Sequence, residues 1–128
     1  MATALAGSIA RTKVEYITRG VAVQEWGATV SGVGLPMHAA HLPEKTVHIS
    51  PPSTLAGTSR IIIEGSNGSA ASTATWVPLT TPTDGLLDFT AVTTGGQMKV
   101  IRENPRMIRP HFETVTTGET LVVRIIAR

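Results

Sequence analysis

The chain contains no cysteine, which removes disulfide frameworks, thiolate metal sites and cysteine nucleophiles together. That absence fits assembly in a reducing cytosol, and any zinc site would have to be built from histidine and carboxylate. Aromatic residues are scarce: one Tyr, two Phe and two Trp give no interleaved platform for stacked bases. Charge is scarce too, at 16%, and eleven Lys and Arg face nine Asp and Glu spread along the chain, so the net charge of +2 is no nucleic-acid signature. No apolar run approaches the roughly 18 residues of a spanning helix. Met1 to Ala10 carries no charge and too short an apolar stretch for a secretion signal, although Ala4-Leu5-Ala6 mimics a cleavage site. A soluble chain is expected. Internal repeats and low-complexity linkers are missing as well, which leaves one domain, with residues 1–11 as an N-terminal arm and 12–128 as the folded unit.

What is present favours strands. Thr, Ser, Gly and Pro make up much of the uncharged polar and small residues, a balance suited to short strands and tight turns. At 128 residues the domain buries about two thirds of the surface its unfolded chain exposes, and needs no metal to fold. Thr12 to Thr18 alternates with period two, and Val21 to Trp26 and Lys45 to Ile49 do likewise. Arg60 to Glu64 encloses Ile61-Ile62-Ile63, a run of β-branched residues that predicts a strand buried on both faces. Ser66-Asn67-Gly68 then supplies hairpin-turn residues, and Thr73 to Leu79 is the return strand with Trp76 as anchor. Leu86 to Ala91, Gln97 to Arg102, Met107 to Val115 and Thr120 to Ala127 follow. In the second of these Met98 and Val100 share one face opposite Ile101. The spacing predicts an all-β, two-sheet antiparallel β-sandwich of jelly-roll or related Greek-key topology. Its core is expected to hold Ile61, Ile63, Trp76, Leu87, Phe89, Ile108, Val122 and Ile125.

Catalytic signatures are thin. Asp84 and Asp88 are the only aspartates, Asp84 reads as a turn residue before Gly85, and no serine sits in a Gly-x-Ser-x-Gly elbow. Gly65 and Gly68 belong to a hairpin rather than to a phosphate-cradling loop. The expectation is a protein that is not an enzyme and takes no cofactor. His38 and His41, with Glu44 and His48 nearby, have metal-ligand chemistry, but Pro36 and Pro43 argue against the helix that would align an i, i+3 pair, and surface histidines are the simpler reading. Arg102, Arg106, Arg109 and His111 form a basic cluster, suited either to a phosphate- or carboxylate-bearing partner or to pairing within the chain with Glu103 or Glu113. Trp26 and Trp76 are core residues or, on a second reading, sugar-stacking platforms. Gly27 to Pro43, with three glycines and two prolines, predicts a long surface loop, the first place to seek an interface.

Several segments carry a resemblance. Ile62-Ile63-Glu64-Gly65-Ser66-Asn67-Gly68 with Trp76-Val77-Pro78-Leu79, then Leu87-Asp88-Phe89-Thr90 and Glu103-Asn104-Pro105-Arg106-Met107-Ile108-Arg109-Pro110, resemble a group of small tailed-bacteriophage structural proteins of the capsid decoration or cement type. Pro43 to Ile49 fits their upstream strand, and the resemblance spans residues 43–127. One departure is plain: the group's turn reads Ser-Asn-Asp-Gly, whereas here Gly68 follows Asn67 directly and an insert runs to Thr75. The resemblance implies a β-sandwich cement protein on the outside of the major capsid lattice, assembled in the host cytoplasm, with the major capsid protein and its own copies as partners, trimer preferred over dimer. No catalytic residues carry over. The interface candidates are Leu5, Ile9 and Arg11 in the arm, Leu35, Met37, His38 and His41 in the long loop, and Arg106, Arg109 and His111 in the basic strand. The alternatives are a carbohydrate-binding module, since the Trp-bearing hairpin also resembles discoidin-like domains, and a tail or neck component.

Overall fold

The computed structural model describes residues 9, 11–18, 21–38, 42–50, 59–68, 74–82, 85–86, 88–90, 97–115 and 120–128. Among them the chain forms β1 (Arg11–Thr18), β2 (Val21–Ala28), β3 (Gly32–Val33), β4 (Met37–His38), β5 (Lys45–Ser50), β6 (Arg60–Ser66) and β7 (Val77–Pro78). It continues as β8 (Thr80–Thr81), β9 (Gly85–Leu86), β10 (Asp88–Thr90), β11 (Gln97–Ile101), β12 (Met107–Thr114) and β13 (Leu121–Ala127). One sheet runs β1-β2-β13-β5-β11; the other runs β10-β6-β12-β3, with β4 also on β12 and β7 on β6, and β8 pairs β9. The chain shuttles between the sheets so that β13 slots between β2 and β5, and β12 between β6 and β3. All these strand pairs are antiparallel. The arrangement is the jelly roll that the strand spacing predicts.

Register explains the core. In β13, Leu121, Val123, Ile125 and Ala127 are buried while Val122, Arg124 and Ile126 between them are only partly so. Val123 pairs with Trp26 on one side and Ile49 on the other, so an unbroken inward row crosses three strands. The facing row on the six-stranded sheet is Ile61, Ile63, Ile108 and Phe112, all fully buried. Ile62 points the other way yet is only 8% exposed, so β6 is covered on both faces, as its β-branched run predicts.

Three expectations need correction. Trp26, not Trp76, is the core tryptophan: it is 0% exposed and its Nε1 donates to the Leu35 carbonyl at 2.9 Å, whereas Trp76 is half-buried. Val122 sits on the outward phase of β13; Leu87 and the Phe89 side chain lie outside the described residues. Within Gly27 to Pro43, the described residues 27–38 are not an open loop either. β2 extends to Ala28, β3 and β4 add to β12, and Met37 is fully buried against the core, so Met37 offers nothing to a partner. Backbone pairing wins here because a segment with buried apolar side chains must also satisfy its amides.

Candidate functional site

On the outer face of the six-stranded sheet, Glu64 of β6 stands opposite Arg109 of β12 in register. Arg109 Nε donates to Glu64 Oε1 at 2.9 Å, and His111 Nδ1 lies 3.3 Å from Glu64 Oε2. The guanidinium carbon of Arg109 rests 4.0 Å from the centre of the Trp76 ring, so the cation is held between a carboxylate and an indole face. Both side chains of the Arg109 and Glu64 pair are about one-eighth exposed, at 13% and 12%. The turn above it is tied down as well: Gly68 N donates to Ser66 Oγ, and Arg106 N donates to Asn67 Oδ1 at 3.1 Å. The two most specific segments of the resemblance are therefore neighbours, and half of the basic cluster is spent on internal pairing. Replacing Arg109 with Ala takes the guanidinium from a mostly buried carboxylate, leaving His111 beside it, and uncovers Trp76. A loss of about 2 kcal/mol in urea unfolding is expected, with a red shift of tryptophan emission; a neutral result would mean that the cluster is ornamental to the fold.

The outer face of the five-stranded sheet is different. Val23, Ile126, Thr46 and Val100 pair in succession across β2, β13, β5 and β11, an apolar row broken by one threonine. The next row is Glu25, Arg124, His48 and Met98, in which Arg124 Nη2 donates to Glu25 Oε2 at 2.6 Å. Val100 and Met98 are 52% and 64% exposed. A groove of about 660 Å³ takes in Ile126, Thr46 and Val100 of the first row and Met98 of the second, and is lined also by Val21. The period-two reading placed Met98 and Val100 together opposite Ile101; only the register tells that their face is the outside one.

At the edge of that groove Lys45 turns inward and is 1% exposed, its Nζ donating to Asn104 Oδ1. Burial pulls its pKa below the ordinary lysine value. The folded state therefore binds the proton less tightly than the unfolded chain does, and the charged lysine costs stability at neutral pH. Stability should rise as pH climbs from the lowered pKa toward 10.5. Lys45→Met keeps the volume, removes the buried charge, and should hold or raise the neutral-pH melting temperature while abolishing the alkaline rise. Melting curves at several pH values decide it; a variant with the wild-type pH profile would remove Lys45 as the cause. Glu103, near the same edge, is pushed up by burial, but hydrogen bonds from Thr80 Oγ1 (2.6 Å) and Thr80 N (2.9 Å) and the charge of Arg102 outweigh this and hold it low.

The remaining candidates separate. Ile9 bridges Gly34, with its N–H donating to the Val33 carbonyl at 2.7 Å, so the end of the arm is stitched to the β3–β4 segment. Arg11 opens β1 by its backbone, and Leu5, His41 and the Arg11 side chain lie outside the described residues. Leu35 is half-buried, while His38 and Arg106 are exposed. His38 is on β4 and His48 on β5, in different sheets, and no group of three or more His, Asp or Glu able to hold a metal occurs among the described residues. Among those residues, too, no helix is long and apolar enough to cross a membrane.

No protein-family model matches the chain, and no curated protein matches it. Solved structures do. The chain is similar to the SPBc2 prophage-derived protein YomS, at 17% identity over 84% of this chain and 95% of that one, with a TM-score of 0.58. A cupin domain from Bordetella pertussis Tohama I aligns over 94% of this chain and 96% of its own at 16% identity, but its TM-score of 0.40 supports no argument. What the chain shares with the prophage-derived protein is therefore its fold, over 84% of this chain and 95% of the other.

Proposed function

We propose that this chain is a non-enzymatic structural protein of a bacteriophage particle, and that it decorates the outside of the major capsid lattice as a cement protein. The observation that carries the reading is the fold it has in common with a prophage-derived protein over 95% of that protein's length. The finer assignment, decoration of the shell, rests on the resemblance of residues 43–127 to small phage decoration proteins. Jelly rolls also serve as lectin and cupin domains, so the fold by itself selects no function. The sugar-stacking alternative loses ground on geometry, because Trp26 is sealed in the core and one face of Trp76 is covered by Arg109.

A cement protein must tie several shell subunits with contacts that are individually weak, and a small rigid sandwich repeated about a symmetry axis does this through multivalency. The proposal is accordingly a homo-oligomer, trimer preferred over dimer, bound to the major capsid protein on the virion surface. Ile9, Leu35, His38 and Arg106 are the described candidates that remain for contacts with other subunits. Deleting the gene from the phage that encodes the chain should lower the temperature at which filled heads burst; unchanged head stability contradicts the proposal.

A further inference from the structure

The whole sequence holds two asparagines, Asn67 and Asn104, and only one of them is followed by a residue whose backbone can attack it. An asparagine loses its amide when the next residue's nitrogen closes on the side-chain carbonyl carbon, so that nitrogen must have a hydrogen to give up. Asn104 is followed by Pro105, whose nitrogen carries none. Asn67 is followed by Gly68, which has no side chain to obstruct the approach. The fold fixes glycine there, because an added Cβ would meet Ala74 Cβ at 2.8 Å. Asn67 itself is exposed, so water reaches it.

Each of the two reacting groups is held by a neighbour in the sense the reaction uses. Gly68 N, the nucleophile, donates to Ser66 Oγ at 3.1 Å, which sets an acceptor on the proton that must leave. Asn67 Oδ1, where negative charge develops as the carbonyl carbon becomes tetrahedral, accepts from Arg106 N at 3.1 Å, the placement of an oxyanion-hole donor. Both neighbours belong to the scaffold. Ser66 is buried at the end of β6, and Arg106 directly precedes Met107, which pairs with Ser66 in register.

We propose that Asn67 is a self-modifying site, at which the turn promotes closure of Gly68 N onto Asn67 Cγ and release of the side-chain amide. Gly68 N gives up its proton and bonds to Cγ, the bond from Cγ to Nδ2 breaks, and Nδ2 takes up a proton and leaves as ammonia. Water then opens the resulting succinimide at either carbonyl, which leaves aspartate or isoaspartate at position 67. Either product places a new negative charge at the Arg106 amide. Isoaspartate also lengthens the main chain by one atom, inside the turn that ties β6 to the start of β12.

The test incubates the purified protein at neutral pH, folded in sodium chloride and unfolded in guanidinium chloride of equal concentration, and follows residue 67 by mass spectrometry of its tryptic peptide. The folded protein should convert about tenfold faster than the unfolded chain, the effect of about one hydrogen bond to a developing charge. Ser66→Ala should slow the folded reaction several-fold and leave the unfolded rate unchanged. Conversion that is equal or slower in the folded protein, or faster in folded Ser66→Ala, would show that the two hydrogen bonds shield the amide, and would overturn the proposal. The wild-type comparison decides by itself if the variant does not fold.

Discussion

Trp26→Ala should cost about 3–5 kcal/mol of folding stability, a large part of the roughly 5–15 kcal/mol that holds a domain of this size together. Among the described residues the side chain is the largest of the fully buried ones, and it lies where β2 meets the β3–β4 segment. Its removal opens a cavity that a sheet interior cannot collapse to fill, and it also takes away the donor to the Leu35 carbonyl. Gly34 is packed so closely there that an added Cβ would lie 2.9 Å from Trp26 Cδ1, so the whole crossing is built around the indole. The melting temperature should fall by about 10–20 °C. Trp76→Ala, at a half-buried site, should cost well under half as much. Equal losses for the two variants in urea unfolding would mean that the core is misplaced.

The second large effect is expected at Gly65, on the inward phase of β6. A Cβ at this position would meet the Leu79 Cδ2 and Pro105 Cγ atoms at 2.7 Å, inside contact distance. Leu79 can change rotamer, but the Pro105 ring cannot. Gly65→Ala should therefore cost about 1–3 kcal/mol, and Gly65→Val more, because a branched side chain has no rotamer that avoids both neighbours. Introducing Leu79→Ala beside Gly65→Ala should recover part of the loss. A double-mutant cycle with no coupling between the two would show that the close approach is not what requires glycine.

Gly65 also shows how far sequence reasoning reaches. Next to Ser66-Asn67-Gly68 it reads as one more turn residue, and only the arrival of Leu79 and Pro105 from elsewhere in the chain reveals a packing position. The strands themselves were legible, since β-branched runs and period-two alternation in β6, β12 and β13 depend on neighbours only through which face is covered. The identity of the covered face was not. Met37 sits between glycines and prolines that suggest a loop, and its burial follows from pairing with Ile108, a residue about 70 positions away. Lys45 carries a clearer hint, because the alternation that puts Val47 and Ile49 inward puts Lys45 inward too, against the ordinary preference of lysine for water. The outer-face groove needed the alignment of β2, β13, β5 and β11, which no local pattern specifies.

The resemblance-bearing segments gain a physical meaning from the pairing of β6 with β12 in the other sheet. Glu64 and Arg109 are opposite partners, and Asn67 caps the approach to β12 through Arg106 N, so the motif residues brace one sheet. They serve as scaffold. In the proposed role, contacts with other subunits fall to the surfaces that this scaffold presents, among them the exposed His38 and Arg106.

The most direct test is the copy number of this chain in purified phage particles, measured on a quantitative gel against the major capsid protein. A decoration protein is expected in a fixed ratio set by the shell lattice, with copies on the order of those of the major capsid protein. A count matching a single tail or neck ring, or no protein on the particle, would contradict the account.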